Sequence, residues 1–206
     1  MASLDLQAVN DLTIAAPAGG LSTVPLCPGL LLGGAETMAK TKAISDQRAL
    51  LLRLIGECYD KTAWHGPNLK SAVRRVTAEE AVWRPRPGRR NIAEIVVHCA
   101  YWKYAVRRRI TGGKRGSFPL KGSNWFELPA KLTTKQWREY VSLLDEQHAA
   151  LRETVARAPW AQLLKGGQPA DHIHGVALHD VYHAGQVRTL KTLYKQAMGS
   201  GGRARK

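Results

Sequence analysis

Four long stretches of this chain repeat their apolar residues every three to four positions, and that period admits helices and little else. The first runs from about Ser45 to Thr62, with Ser45 as candidate cap and Leu51, Leu54, Ile55 and Cys58 on one stripe. The second runs from Asn91 to about Ile110. Asn91 with Glu94 three residues later reads as a capping box, and Ile95, His98, Cys99, Trp102 and Val106 share a face. The third runs from Thr133 to about Ala156, with the same box in Thr133 and Gln136 and a stripe from Trp137 through Leu144 and His148 to Val155. The fourth runs from about Asp171 to Gln196 and carries Ile173, Val176, His179, His183, Val187 and Leu190 on one side. Gly and Pro punctuate the intervals, and no convincing strand alternation occurs. The pattern predicts an all-α fold, an antiparallel four-helix bundle around one core.

The ends read differently from the middle. Residues 1–38 hold three acids and no Lys or Arg, so all 31 basic residues follow them. That opening is rich in Gly and Pro and has neither the basic start of a secretory signal nor the arginines of a transit peptide. Residues 1–42 are therefore expected to lie outside the fold, with Met38 as a candidate natural start. Residues 43–197 are expected to form the domain and 198–206 a flexible basic tail. Three cysteines (Cys27, Cys58, Cys99) without metal-type spacing argue against a disulfide scaffold and fit a reducing cytoplasm. No apolar run is long enough to span a membrane.

Histidines carry the chemical signal. In His179-Asp-Val-Tyr-His183 the two imidazoles stand four residues apart, ~40° beyond one full helical turn and ~6 Å from each other. Two nitrogens so placed can reach one metal ion, and His98, inward on the second helix, is the third candidate ligand. Three neutral imidazoles would leave the ion's charge uncompensated and a position open for water or substrate. The competing reading makes both residues hydrogen-bonded core histidines, but burying two imidazoles without partners is costly. The pair also superficially resembles a zinc-peptidase helix. Asp180 stands where that motif has Glu, and no third ligand follows downstream.

Four segments then resemble, in order, the DinB-like superfamily of metal-binding helical bundles. They are Ala63-Trp-His-Gly-Pro-Asn-Leu69, Glu80-Ala-Val-Trp-Arg-Pro85, Ile92-Ala-Glu-Ile-Val-Val-His98 continuing to Trp102, and His179-Asp-Val-Tyr-His-Ala-Gly-Gln-Val187. The resemblance spans about Ala43 to Lys195. It implies a metal triad at His98, His179 and His183, the residues that periodicity had already selected. The ligand types suit Zn, Ni, Fe(II) or Mn. It also implies a homodimer and, among family members, transfer of a low-molecular-weight thiol or metal-dependent hydrolysis of a small-molecule substrate. A non-catalytic metal-binding stress-response module is the rival from another class.

Weaker candidates surround this triad. His65, at the exit of the first helix, is a candidate proton shuttle or extra ligand, or else a loop residue fixing the turn before Pro67. Gln186 is a candidate for orienting a bound molecule, or else an interhelical hydrogen-bond partner. Asp180 and Tyr182 point off the ligand line. Trp64, Trp83 and Trp102 are candidate pocket walls or else plain core, His148 a buried structural residue or else a group near the metal, and His172 and His174 solvent-facing or capping groups. Between Arg84 and Lys121 stand eleven Lys/Arg and one acid, Glu94. Such a run is a solvated basic surface, a seat for an anionic cofactor, or a nucleic-acid surface. No helix-turn-helix, zinc-finger or RNA-binding motif accompanies it.

Overall fold

A computed structural model describes residues 33–164 and 168–201, all helix, turn and loop apart from one isolated bridge between Ser123 and Trp125. Seven helices follow one another among the described residues: α1 (Gly33–Tyr59), α2 (Leu69–Val73), α3 (Ala78–Val82), α4 (Ile92–Thr111), α5 (Thr134–Arg157), α6 (Trp160–Leu164) and α7 (Gln168–Gly201). The four long ones match the four periodic stretches. Both capping boxes form: Asn91 accepts from the Glu94 amide while Glu94 accepts from the Asn91 amide, and Thr133 and Gln136 do the same at α5. Gly112, at φ 68°, ends α4 in the left-handed conformation that glycine adopts without penalty.

The first helix departs from expectation. It begins at Gly33 rather than Ser45, so Ser45 is an interior helical residue and the boundary at residue 42 falls inside α1. The described part of the added segment, from Thr37 to Thr41, is exposed on every side, which is why no apolar stripe announced it. Helix α7 likewise starts and ends beyond the periodic stretch, at Gln168 and Gly201, so residues 198–201 of the expected tail are helical. Residues 1–32 and 202–206 lie outside the described residues. Three five-residue helices were not anticipated. Each is too short to show a period, and α2 and α3 are announced only by the caps Asn68 and Thr77.

The long helices touch in a closed ring: α4 packs on α5 and α7, and α1 packs on α5 and α7. Two apolar clusters fill the interior. The larger gathers Tyr59, Leu69, Ile95, Val96, Trp137 and Leu144; the smaller gathers Ile55, Val106, Ile110, Leu151, Leu163 and Ile173. Trp102 packs against both. Across the α4–α7 contact, Lys103 forms an ion pair with Asp180, each side chain only 1% exposed. The Tyr59 ring lies beneath the Lys103 ammonium, 4.8 Å from its centroid. Lys103 is thus no part of the basic surface that the sequence suggested. Arg84 and Arg90 are also engaged, since both pair with the buried carboxylate of Glu94. Among the described residues no helix is long and apolar enough to cross a membrane.

Candidate metal centre

Helix α4 presents His98 and α7 presents His179 and His183, and the three rings converge. His98 Nε2 stands 2.9 Å from His179 Nε2, which stands 3.0 Å from His183 Nε2. The outer nitrogens decide what this convergence means. His98 Nδ1 lies 2.8 Å from the backbone carbonyl of Asn124, which can only accept, so Nδ1 carries the proton and Nε2 a bare lone pair. His183 Nδ1 lies 2.7 Å from Gln186 Oε1, whose amide nitrogen donates to the Tyr182 hydroxyl; Nδ1 is again the donor and Nε2 again bare. Even if His179 keeps a proton on Nε2, it can satisfy only one of the two lone pairs aimed at it. Three nitrogen ligands held ~2.1 Å from one ion stand ~3.0–3.4 Å apart. The observed spacings therefore suit a shared cation, and the donor set fits a divalent metal.

Electrostatics keep the lone pairs available. Burial lowers the pKa of all three imidazoles. His179 falls to about 3, with the neighbouring His183, His98 and Lys103 adding to the effect of burial. His183 falls to about 4 through burial, against the hydrogen bond that its Nδ1–H donates to Gln186. His98 is lowered by burial and, secondarily, by Arg90, against its bond to Asn124. All three are neutral at neutral pH. Cys99 and the Asp180 carboxylate also lie within 4.8 Å of a His179 ring nitrogen. Burial holds the Cys99 thiol well above its usual pKa, and Asp180 is engaged by Lys103, so the three imidazoles form the better donor set.

Two tryptophans box the rings. Trp125 stacks flat on His98, centroids 3.8 Å apart and planes 4° from parallel. Trp102 meets His98 and His179 edge-on, and its indole N–H donates to the Asn124 side chain. Asn124 sits at φ 61° at the tip of the Ser123–Trp125 bridge, in the left-handed region that Asn tolerates better than most residues. Beside His179 opens a cleft of about 180 Å³, lined among others by Trp102, Arg109, His172 and Gly175.

Matched against this span of the chain, a profile of the DinB superfamily covers residues 61–187, which include all three histidines and Gln186. The chain belongs to the DinB superfamily. No curated protein and no solved structure gives a significant match. His179, His183 and the more distant His98 are the residues the structure brings together.

Other sequence candidates of this DinB chain fall elsewhere. His65 is exposed in the turn that Gly66 closes onto Ala63, and among the described residues no hydrogen bond or ring contact joins it to the triad. Gln186 bonds His183 and Tyr182 of its own helix through its amide. Trp64 is fully exposed and Trp83 packs edge-on against Tyr194, so of the three proposed walls only Trp102 stands at the site. His148 is buried against Tyr59. His172, read as solvent-facing or capping, is half-buried in the cleft with Nδ1 unpartnered. Its place seven residues before His179, two turns along one face, was the available signal. Asn124 and Trp125 lie in a loop without periodicity, and only the turn-forming Gly122-Ser-Asn hinted at them.

Proposed function

We propose that the protein binds one divalent metal ion through His98, His179 and His183, inside an antiparallel four-helix bundle of α1, α4, α5 and α7. In this reading it is an enzyme that activates water or a low-molecular-weight thiol towards a small electrophilic substrate. The observation that carries the reading is the convergence of three neutral Nε2 atoms, two of them forced by their outer hydrogen bonds to present lone pairs. Zn, Ni, Fe(II) and Mn all accept such donors. An ion held by these three histidines would supply acidification of a bound water or thiol.

The chain's own residues do the rest. Asn124 and Gln186 fix the tautomer and tilt of two ligands, as partners behind a metal-binding histidine do. Trp102 and Trp125 cover the rings and exclude water from one side. The cleft beside His179 is small and suits a compact substrate. Arg109 on its wall attracts a negatively charged group, and His172 also lines it. His65 has no part in this scheme. The working form is taken as a homodimer, which light scattering tests.

Elemental analysis of protein purified without added metal decides the first half. About one equivalent per chain is expected, and His179→Ala is expected to lose it while keeping the helical circular dichroism of the parent. A parent that binds no metal, or a variant that binds as well, overturns the reading. The second half rests on turnover by the metal-loaded protein with a panel of thiols and electrophiles. Metal binding without any turnover leaves the non-catalytic module.

A further inference from the structure

A cavity of about 770 Å³ lies on another face, lined by residues of α2, the turn after it and α5, and shares no lining residue with the cleft beside His179. Its walls include the apolar side chains of Val73, Val76, Trp137 and Leu144. Its charged lining is lopsided: Lys70, Arg74, Arg75 and Arg138 against Asp60 alone. Lys70 is neutralised by Asp145 at 2.8 Å. Among the described residues no ion pair engages Arg74, Arg75 or Arg138.

The backbone beneath these arginines is an independent observation. The Val76 amide donates to the Val73 carbonyl across a turn whose central residues are Arg74, at φ −55° and ψ 135°, and Arg75, at φ 62°. This is a type II turn, and its third position belongs by preference to glycine. An arginine there carries a steric cost that glycine would avoid. Three hydrogen bonds from outside hold the turn in place. Lys191 on α7 donates to the carbonyls of Ala72 and Arg74, and the Trp137 indole donates to the carbonyl of Val76. The backbone that carries two adjacent exposed arginines is thereby fixed at the edge of an apolar cavity, and Arg138 on α5 also lines it.

We propose that this cavity binds a small amphiphile, its apolar body against Val73, Val76, Trp137 and Leu144 and its carboxylate or phosphate head on Arg74, Arg75 and Arg138. The volume falls within the usual ~300–1,000 Å³ of small-molecule sites. Guanidinium groups favour planar, bidentate contact with either head.

Calorimetric titration of the full chain with decanoate, decyl phosphate, decanol and decyltrimethylammonium tests this. Both anions are expected to bind, decanol about tenfold more weakly, and the cation not measurably. The stronger of the two anions identifies the head group. Arg75→Gly is expected to weaken anion binding about tenfold while raising the melting temperature, because it removes the charge and relieves the turn. Arg138→Ala is expected to weaken binding with the melting temperature unchanged. Absence of binding by either anion, equal binding of all four amphiphiles, or anion affinity unchanged in both variants overturns the proposal.

Discussion

His148 makes the fold sensitive to acid, and the size of the effect follows from its surroundings. The ring is buried against Tyr59, centroids 3.8 Å apart, and neither nitrogen has a hydrogen-bond partner among the described residues. Burial, reinforced by Lys103 and more distant cations, lowers its pKa to about 2 from an ordinary 6.5. A group whose pKa is depressed by folding stabilises the native state above its unfolded pKa, and that contribution drains away as pH falls towards the folded value. Between pH 7.5 and 4.5 the unfolded chain gains the proton that the native chain refuses, at about 1.4 kcal/mol for each pH unit below 6.5. One histidine therefore costs about 3 kcal/mol at pH 4.5, a large share of the stability of a domain this size. His148→Phe removes the titrating group and keeps an aromatic ring against Tyr59. Any packing penalty of the larger ring is common to both pH values and cancels in the comparison. Urea unfolding of parent and variant, both in EDTA, measures the difference at each pH. The stability gap should move by about 3 kcal/mol in favour of the variant on acidification. A gap that stays constant within about 1 kcal/mol refutes the reasoning.

Lys103→Met and Asp180→Leu should each destabilise the fold by about 3–5 kcal/mol, by leaving a buried charge unpaired, and the double variant should recover most of the loss; chemical denaturation of all four proteins measures the coupling. Gln186→Leu frees His183 Nδ1 and should weaken metal affinity ten- to a hundredfold with little change in helix content, as read by competition with a chromophoric chelator. Glu94→Ala removes half of a capping box and two ion pairs, and should cost about 2 kcal/mol in thermal or urea unfolding.

The sequence made the helices of the core legible because each buries a stripe. The α4 stripe from Ile95 to Val106 and the α5 stripe from Trp137 to Val155 face the interior as their spacing implies, and their capping residues mark the first turn to within one position. Where a helix buries nothing, as from Thr37 to Thr41 of α1, the pattern has no reason to exist and the reading stops short. The three histidines share the stripes of their helices, so they could be named from periodicity. Lys103 hid among ten other basic residues, since a lysine paired inside and one solvated outside are spelled alike. Asn124 and Trp125 act through a backbone carbonyl and a ring face presented by a loop, and neither leaves a recurring mark along the chain. His65 was drawn in by its motif; in three dimensions its turn lies in solvent.

The loop tip at Asn124 gives one ligand a control that the helices do not share. His183 is backed by its own helix, through Gln186 one turn on, whereas His98 is backed by a carbonyl belonging to the α4–α5 connection. Changing the length or strain of that connection would alter how strongly residue 98 donates electrons, and how far its ring can swing, while every helix stayed where it is. A connecting loop, the kind of segment in which proteins generally tolerate insertions, would thus tune the centre proposed here.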